Sequence, residues 1–235
     1  MDDLQKQSKY KYKIKLDMQK DTWNWYEGCN SVGYGIDWKK RVSKDIYNKI
    51  HGKSRKEAYV FIIPFLKKKY VDDKEEIGSA RKNRKKEFDQ KFQEACEKLA
   101  TVMGKSIYRD DFTFYLTTFP RGPYNYYKGT IWEYIGWPDP IGGFLHELCH
   151  FQFIHYWQKN LDSPVSELKT EQFEHFKESL TMILDEDFYP LINKPDKGYD
   201  MHQEFRKELT KFWKTNKDFD KLVEFGLKRL PNYVS

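Results

Sequence analysis

Near residue 112 the spacing of apolar residues switches from one period to another, and this switch restricts the chain to a mixed α+β architecture. Upstream, over residues 75–103, Phe88, Phe92, Cys96, Leu99 and Val102 recur three or four apart. That is the period of an amphipathic helix, and Gly104 suits its end. Residues 112–119 are instead aromatic and β-branched and read as a strand that Pro120 ends. A Pro/Gly/Tyr/Asn loop at 121–129, a second short strand at 130–135 and a turn at 136–140 follow. Pro140 is placed to open a helix running to about residue 159. Beyond a linker at 160–164 the pattern is helical, at 171–184, 200–215 and 218–230, with a Pro/Gly loop at 190–198.

The first third is more varied. Residues 8–17 alternate Lys with Tyr10, Tyr12, Ile14 and Leu16, which predicts a half-buried strand. Residues 30–35 read as a turn and 37–50 as a helix. Residues 58–66 suit either a buried strand or a helix; Ser54 three positions before Glu57 resembles a capping box and favours the helix. Strands and helices first, then mostly helix, give an α+β fold. The expected organisation is an N-terminal α+β part (1–140) and a helical part (141–235), as one compact domain or two lobes flanking a cleft.

Composition narrows the function. With 17% aromatic residues spread along 235 positions, disorder is excluded. The net charge of +6 is the small difference between 42 basic and 36 acidic residues. The densest basic run, residues 81–86, is followed at once by Glu87, Asp89, Glu94 and Glu97. It reads as a solvated helix face and not as a nucleic-acid surface. No run approaches the ~18 apolar residues of a membrane span. The N-terminus lacks the apolar core of a secretory signal, and three scattered cysteines do not form a disulfide framework. A cytoplasmic protein is expected.

The chemistry concentrates in His146-Glu147-Leu148-Cys149-His150. On a helix, residues four apart lie one turn above each other, so His146 and His150 can offer two imidazoles to one metal ion. Glu147 is rotated about 100° away, within reach of a metal-activated water without taking a ligand position. Two neutral nitrogen ligands and a carboxylate base are what zinc-assisted hydrolysis requires, together with a third protein ligand. The following helix offers Glu171, Glu174 and Glu178, and also His175. Its apolar stripe of Phe173, Phe176, Leu180, Ile183 and Leu184 leaves the three glutamates near the opposite side, where a solvated acidic face is the competing reading. Cys149 points away from His150 and reads as core, and His51 and His155 lack partners at ligand spacing.

The motif, its Phe151-Gln152-Phe153 continuation and Glu178-Ser179-Leu180-Thr181 downstream resemble the gluzincin zinc metallopeptidases. The resemblance implies a zincin-like fold with an edge strand packed on the active-site helix. It implies one Zn2+ per chain, bound by His146, His150 and Glu178, with Glu147 as general base and proton shuttle. The interval from His150 suits Glu174 or Glu171 better, whereas the small residue after Glu178 favours Glu178. Residues 114–119 would then bind extended peptide along a sheet edge, and Tyr124, Tyr126 and Tyr127 could line a pocket. Similar enzymes place a Tyr or His from a C-terminal segment on the developing oxyanion, here His202 or Tyr199. The expected partner is a peptide or protein substrate, with no nucleic acid and no membrane. A regulatory zincin that cleaves one specific partner, or a non-catalytic zincin-fold binding protein, are the alternatives.

Overall fold

A computed structural model of the chain describes residues 9–31 and 37–234. The described elements, in order, are β1 (Lys11–Leu16), α1 (Met18–Asn30), α2 (Lys44–Ile50), α3 (Arg55–Asp72) and α4 (Lys74–Met103). Then come β2 (Asp111–Thr117), β3 (Tyr124–Asn125), β4 (Thr130–Tyr134) and α5 (Pro140–Phe153). The chain closes with α6 (Thr170–Leu180), α7 (Ile183–Asp187), α8 (Gln203–Asn216) and α9 (Phe219–Arg229). The fold is α+β, mostly helical, with one small mixed sheet. Residues 12–87 and 112–138 form one compact unit; residues 9–11, 88–111 and 139–234 belong to the other. The chain passes between them at residues 11/12, 87/88, 111/112 and 138/139, so neither unit is one continuous stretch of sequence.

In the first unit the strand order is β1-β2-β4-β3. β2 and β4 run parallel, with Phe114 opposite Ile131 and Leu116 opposite Glu133, and β3 is antiparallel to β4. β2 is therefore an interior strand, flanked by β1 and β4, and its backbone groups are engaged on both sides. The expectation that residues 114–119 form a peptide-binding edge is wrong. The edges are β1 and the two-residue β3. The aromatic, β-branched composition of β2 fits an interior strand, with Phe112, Phe114 and Leu116 buried.

Local chemistry explains the helices of this unit. The Asp17 carboxylate caps α1 by accepting from the Gln19 and Lys20 amides. Residues 37–50 are not one helix: a 3-10 turn (Trp38–Arg41) is followed by Ser43, whose hydroxyl accepts from Ile46 and starts α2 afresh. The Ser54/Glu57 capping box is formed in both directions, so residues 58–66 lie within α3, with Pro64 inside it. The turn expected at 30–35 lies, from residue 32 onward, outside the described residues.

The hub of this unit is Asp21, fully buried on α1. Its carboxylate accepts from the Thr117 and Thr118 hydroxyls at 2.6 and 2.8 Å, the Thr118 amide at 3.0 Å and the Tyr70 hydroxyl at 3.1 Å. One residue thus ties α1 and α3 to the end of β2. Beside it Gly28 lies so close to Phe119 that an added Cβ would sit 2.1 Å from the ring. Asp21→Ala would strand several buried donors, each costing about 1–3 kcal/mol. The expected loss of about 3 kcal/mol is measurable by urea unfolding; a change below about 1 kcal/mol would show that the hub contributes little.

The second unit is built on aromatic packing. Phe92 of α4 stacks on Phe144 of α5, with ring centroids 4.7 Å apart. Phe153 of α5 stacks on Phe173 of α6 at 5.7 Å and meets Phe176 edge-on at 5.3 Å. Phe176 in turn packs on Phe205 of α8. Each such fully buried ring contributes about 1.5–3 kcal/mol of transfer free energy. These contacts seat α5, α6 and α8 against one another. The expected helix at 171–184 breaks at Thr181, so α6 ends at Leu180 and α7 begins at Ile183.

Candidate metal centre

α5 starts where its sequence says it should. The Asp139 side chain accepts from the Gly142 amide at 3.0 Å and Pro140 occupies the first turn. The other Asp139 oxygen accepts from the Asn193 and Lys194 amides at 2.7 and 3.0 Å, which pins the approaching loop to the helix start. Most of α5 is buried, including Phe144, Leu145, Leu148 and Phe151. His150 is buried with them, and half-buried His146 lies one turn before it on the same face.

The two imidazoles meet there. His150 Nε2 lies 2.9 Å from His146 Nε2. Glu178 of α6 joins them, Oε1 at 3.2 Å from His150 Nε2 and Oε2 at 3.4 Å from His146 Nε2. Among the described residues these three form the one group of His, Cys, Asp or Glu able to share an ion, with donor atoms all within 4.8 Å of one another. Bonds of about 2.0–2.2 Å to a tetrahedral centre put neighbouring donors about 3.3 Å apart. The observed 2.9, 3.2 and 3.4 Å bracket that value. Two further observations support the fit. His146 Nδ1 lies 2.9 Å from Asp196 Oδ2, so Nδ1 is the donor and Nε2 is the nitrogen turned toward the cluster. Glu178 Oε2 is buried and faces His146 Nε2 at 3.4 Å without forming a hydrogen bond. The residues present fit a divalent cation.

Of the three candidate glutamates, the structure brings Glu178 to the histidines. Glu174 is instead engaged by Lys177, whose Nζ is 2.6 Å from Glu174 Oε2 and 3.5 Å from Glu178 Oε1. Glu171 is exposed. The amphipathic reading of this helix is corrected accordingly: His175, Lys177 and Glu178 are buried alongside the apolar stripe, so only the start of α6 has a solvated acidic face.

Burial and charge set the protonation of the group. Burial opposes charge on His146, but Asp196 and then Glu178 outweigh it and hold its pKa well above the ordinary imidazole value. His150 is pushed down to about 4, by burial against the pull of Glu178. Burial would raise Glu178, yet His150 and His146 carry it far below the usual carboxylate range. Glu147 is raised to about 7, by burial, with His146 opposing, and its Oε2 has no hydrogen-bond partner. The site opens to solvent on the His146 side, where 21% of the side chain is exposed against 1% for His150.

Tyr199 and His202 also reach this region. Burial raises the Tyr199 phenol, and the charges of Glu178, Glu147 and Asp196 lie close enough to add to that rise. His202 is buried, edge-on to His175 with centroids 4.5 Å apart, and 5.7 Å from the Tyr199 ring. Burial and then His175 lower it to about 4. Cys149 is a buried core thiol, as its spacing indicates, and burial raises it. Sequence reasoning missed Asp196 and Lys177. Nothing in a loop aspartate or a helical lysine distinguishes them before α5, α6 and the loop are brought together. Compared with protein-family models, curated proteins and solved structures, the chain matches none.

Proposed function

We propose that this chain is a zinc-dependent hydrolase, most simply a metallopeptidase of the zincin type. The observation that carries the reading is the three-donor cluster with a partnerless carboxylate oxygen, on Glu147, one residue from its first ligand. His146, His150 and Glu178 would hold the ion. When bound, zinc supplies a Lewis acid that polarises a carbonyl and acidifies a water molecule.

The chain's own residues do the rest. Asp196 fixes the tautomer and direction of the His146 ring by accepting from Nδ1. Glu147 takes the proton of the attacking water on its free oxygen and delivers it to the departing amine. Burial raises this carboxyl to about 7 without the ion, and a bound cation would lower it, leaving a carboxylate that can accept a proton at neutral pH. The Tyr199 phenol, kept protonated by burial and nearby carboxylates, donates toward the oxygen on which negative charge develops. His202, depressed to about 4, is neutral at pH 7 and is the second candidate for that role.

Metal uptake should depend on pH in a defined direction. Because His146 is raised, the ion must displace its proton throughout the range below that raised value. Apparent zinc affinity is expected to fall about tenfold for each unit of pH lost in that range, the slope of one released proton. His150, at about 4, adds a second proton only in more acidic solution. Isothermal titration in buffers of different ionisation enthalpy checks the count; pH-independent affinity would contradict the donor set.

A further inference from the structure

We propose that Arg206 is a positioning residue of the metal centre, whose guanidinium fixes together the backbone of the third donor, Glu178, and the backbone of Asp196, which orients the first. The inference rests on the metal-centre reading above.

Arg206 lies on α8 and is 4% exposed. A buried guanidinium is costly unless its donors are satisfied, so its acceptors show what it holds. Nη1 donates to the Glu178 carbonyl at 3.2 Å and to the Thr181 hydroxyl at 2.6 Å. Both belong to the C-terminal end of α6, where helical carbonyls lack partners of their own. Nη2 donates to Asp185 Oδ2 at 3.1 Å and to the Asp196 carbonyl. Asp185 Oδ1 accepts from the Asp196 amide at 2.6 Å. The Asp196 backbone is thus held at its carbonyl by Arg206 and at its amide by the carboxylate that Arg206 binds. Its side chain is then free to accept from His146 Nδ1 at 2.9 Å.

Gly198 completes the arrangement. It has φ of +61°, and an added Cβ would lie 3.0 Å from Arg206 Cδ and Nη1. Glycine suits the position because its backbone is left-handed and because a Cβ there would press on the guanidinium. Its amide also donates to Asp196 Oδ1 at 3.2 Å. A planar fork with donors on two nitrogens can hold two backbone segments at once; a lysine ammonium, a point charge on a flexible stem, cannot reproduce that geometry.

The test uses the full chain with Arg206→Lys, Arg206→Ala and Gly198→Ala. Two readouts are taken: the ¹⁵N-histidine NMR spectrum of metal-free protein, which reports the His146 Nδ1–H, and titration with Zn2+ and Co2+. Folded Arg206→Lys should lose the Nδ1–H signal and bind Zn2+ about 10- to 100-fold more weakly, the usual range for groups behind a metal ligand. Low guanidinium, but not equal sodium chloride, should restore both properties to Arg206→Ala. If that variant does not fold, Gly198→Ala displaces the guanidinium without removing it and should show the same signs in smaller measure. A folded Arg206→Lys with the parent's signal and affinity would overturn the proposal. So would an affinity loss that only tracks the unfolding midpoint and is not restored by guanidinium. A parent that shows the Arg206-dependent signal but binds neither ion would instead overturn the metal-centre reading and leave the coupling standing.

Discussion

Glu147→Gln is expected to retain one metal ion per chain while hydrolysing peptides about 10³-fold more slowly. That factor is ~4 kcal/mol of transition-state stabilisation. The amide keeps the size of the side chain and its place on α5, between His146 and Leu148. It cannot accept a proton from water at neutral pH. The proposed ligands His146, His150 and Glu178 are untouched, so zinc content and turnover should separate. In the parent, the acid limb of the pH–rate profile should fall below the value of about 7 set by burial. The sign follows from charge, since a bound cation favours the carboxylate and lowers its pKa. The readout is turnover of whichever peptide pool the parent digests. Casein digestion by the parent indicates a general peptidase, while cleavage confined to a single partner indicates a regulatory enzyme. Equal turnover by Glu147→Gln and parent would refute Glu147 as the base.

The second large effect belongs to His150→Ala. This imidazole is the most deeply buried member of the cluster, at 1% exposure, and lies within 3.2 Å of both other proposed ligands. Its loss leaves two protein donors on an ion that needs three. Zinc affinity should fall on the order of 10⁴-fold, about 5.5 kcal/mol. Ligand binding stabilises the folded state by mass action, about 4 kcal/mol at a thousandfold excess over Kd. The parent's unfolding temperature should therefore rise with added zinc and fall with chelator, whereas that of His150→Ala should respond to neither. A zinc response equal to the parent's would mean that His150 is ordinary packed core.

Much of the framework is legible in the residues, for local reasons. α4 follows from its three- and four-residue apolar spacing and stops before Gly104, which has the left-handed φ of +64°. α5 follows from Asp139 and Pro140, and α3 from the Ser54/Glu57 box. Capping and helical period are properties of a few neighbouring residues, so no tertiary knowledge is needed. The pair His146/His150 is legible on the same ground, because one helical turn brings them together whatever surrounds the helix.

What was not legible depends on partners far along the chain. β2 could be recognised as a strand, but its interior place depends on β1 and β4 pairing on either side of it. The choice of Glu178 over Glu174 could not be made from helix period. It is decided by Lys177, which turns back to bind Glu174, and by the depth at which α6 packs against its neighbours. The break at Thr181 also has no strong local signal; its hydroxyl accepts from Arg206, twenty-five positions later. Asp196 and Arg206 are ordinary charged residues until that packing brings them beside His146 and Glu178.

The most direct test is X-ray absorption at the zinc edge of the metal-loaded protein, read together with the zinc content per chain. Two imidazole rings and a carboxylate around one bound ion, with only nitrogen and oxygen at about 2.0–2.2 Å, are the predicted result. A sulfur neighbour at about 2.3 Å, fewer than two imidazoles, or no stoichiometric zinc at all would contradict it.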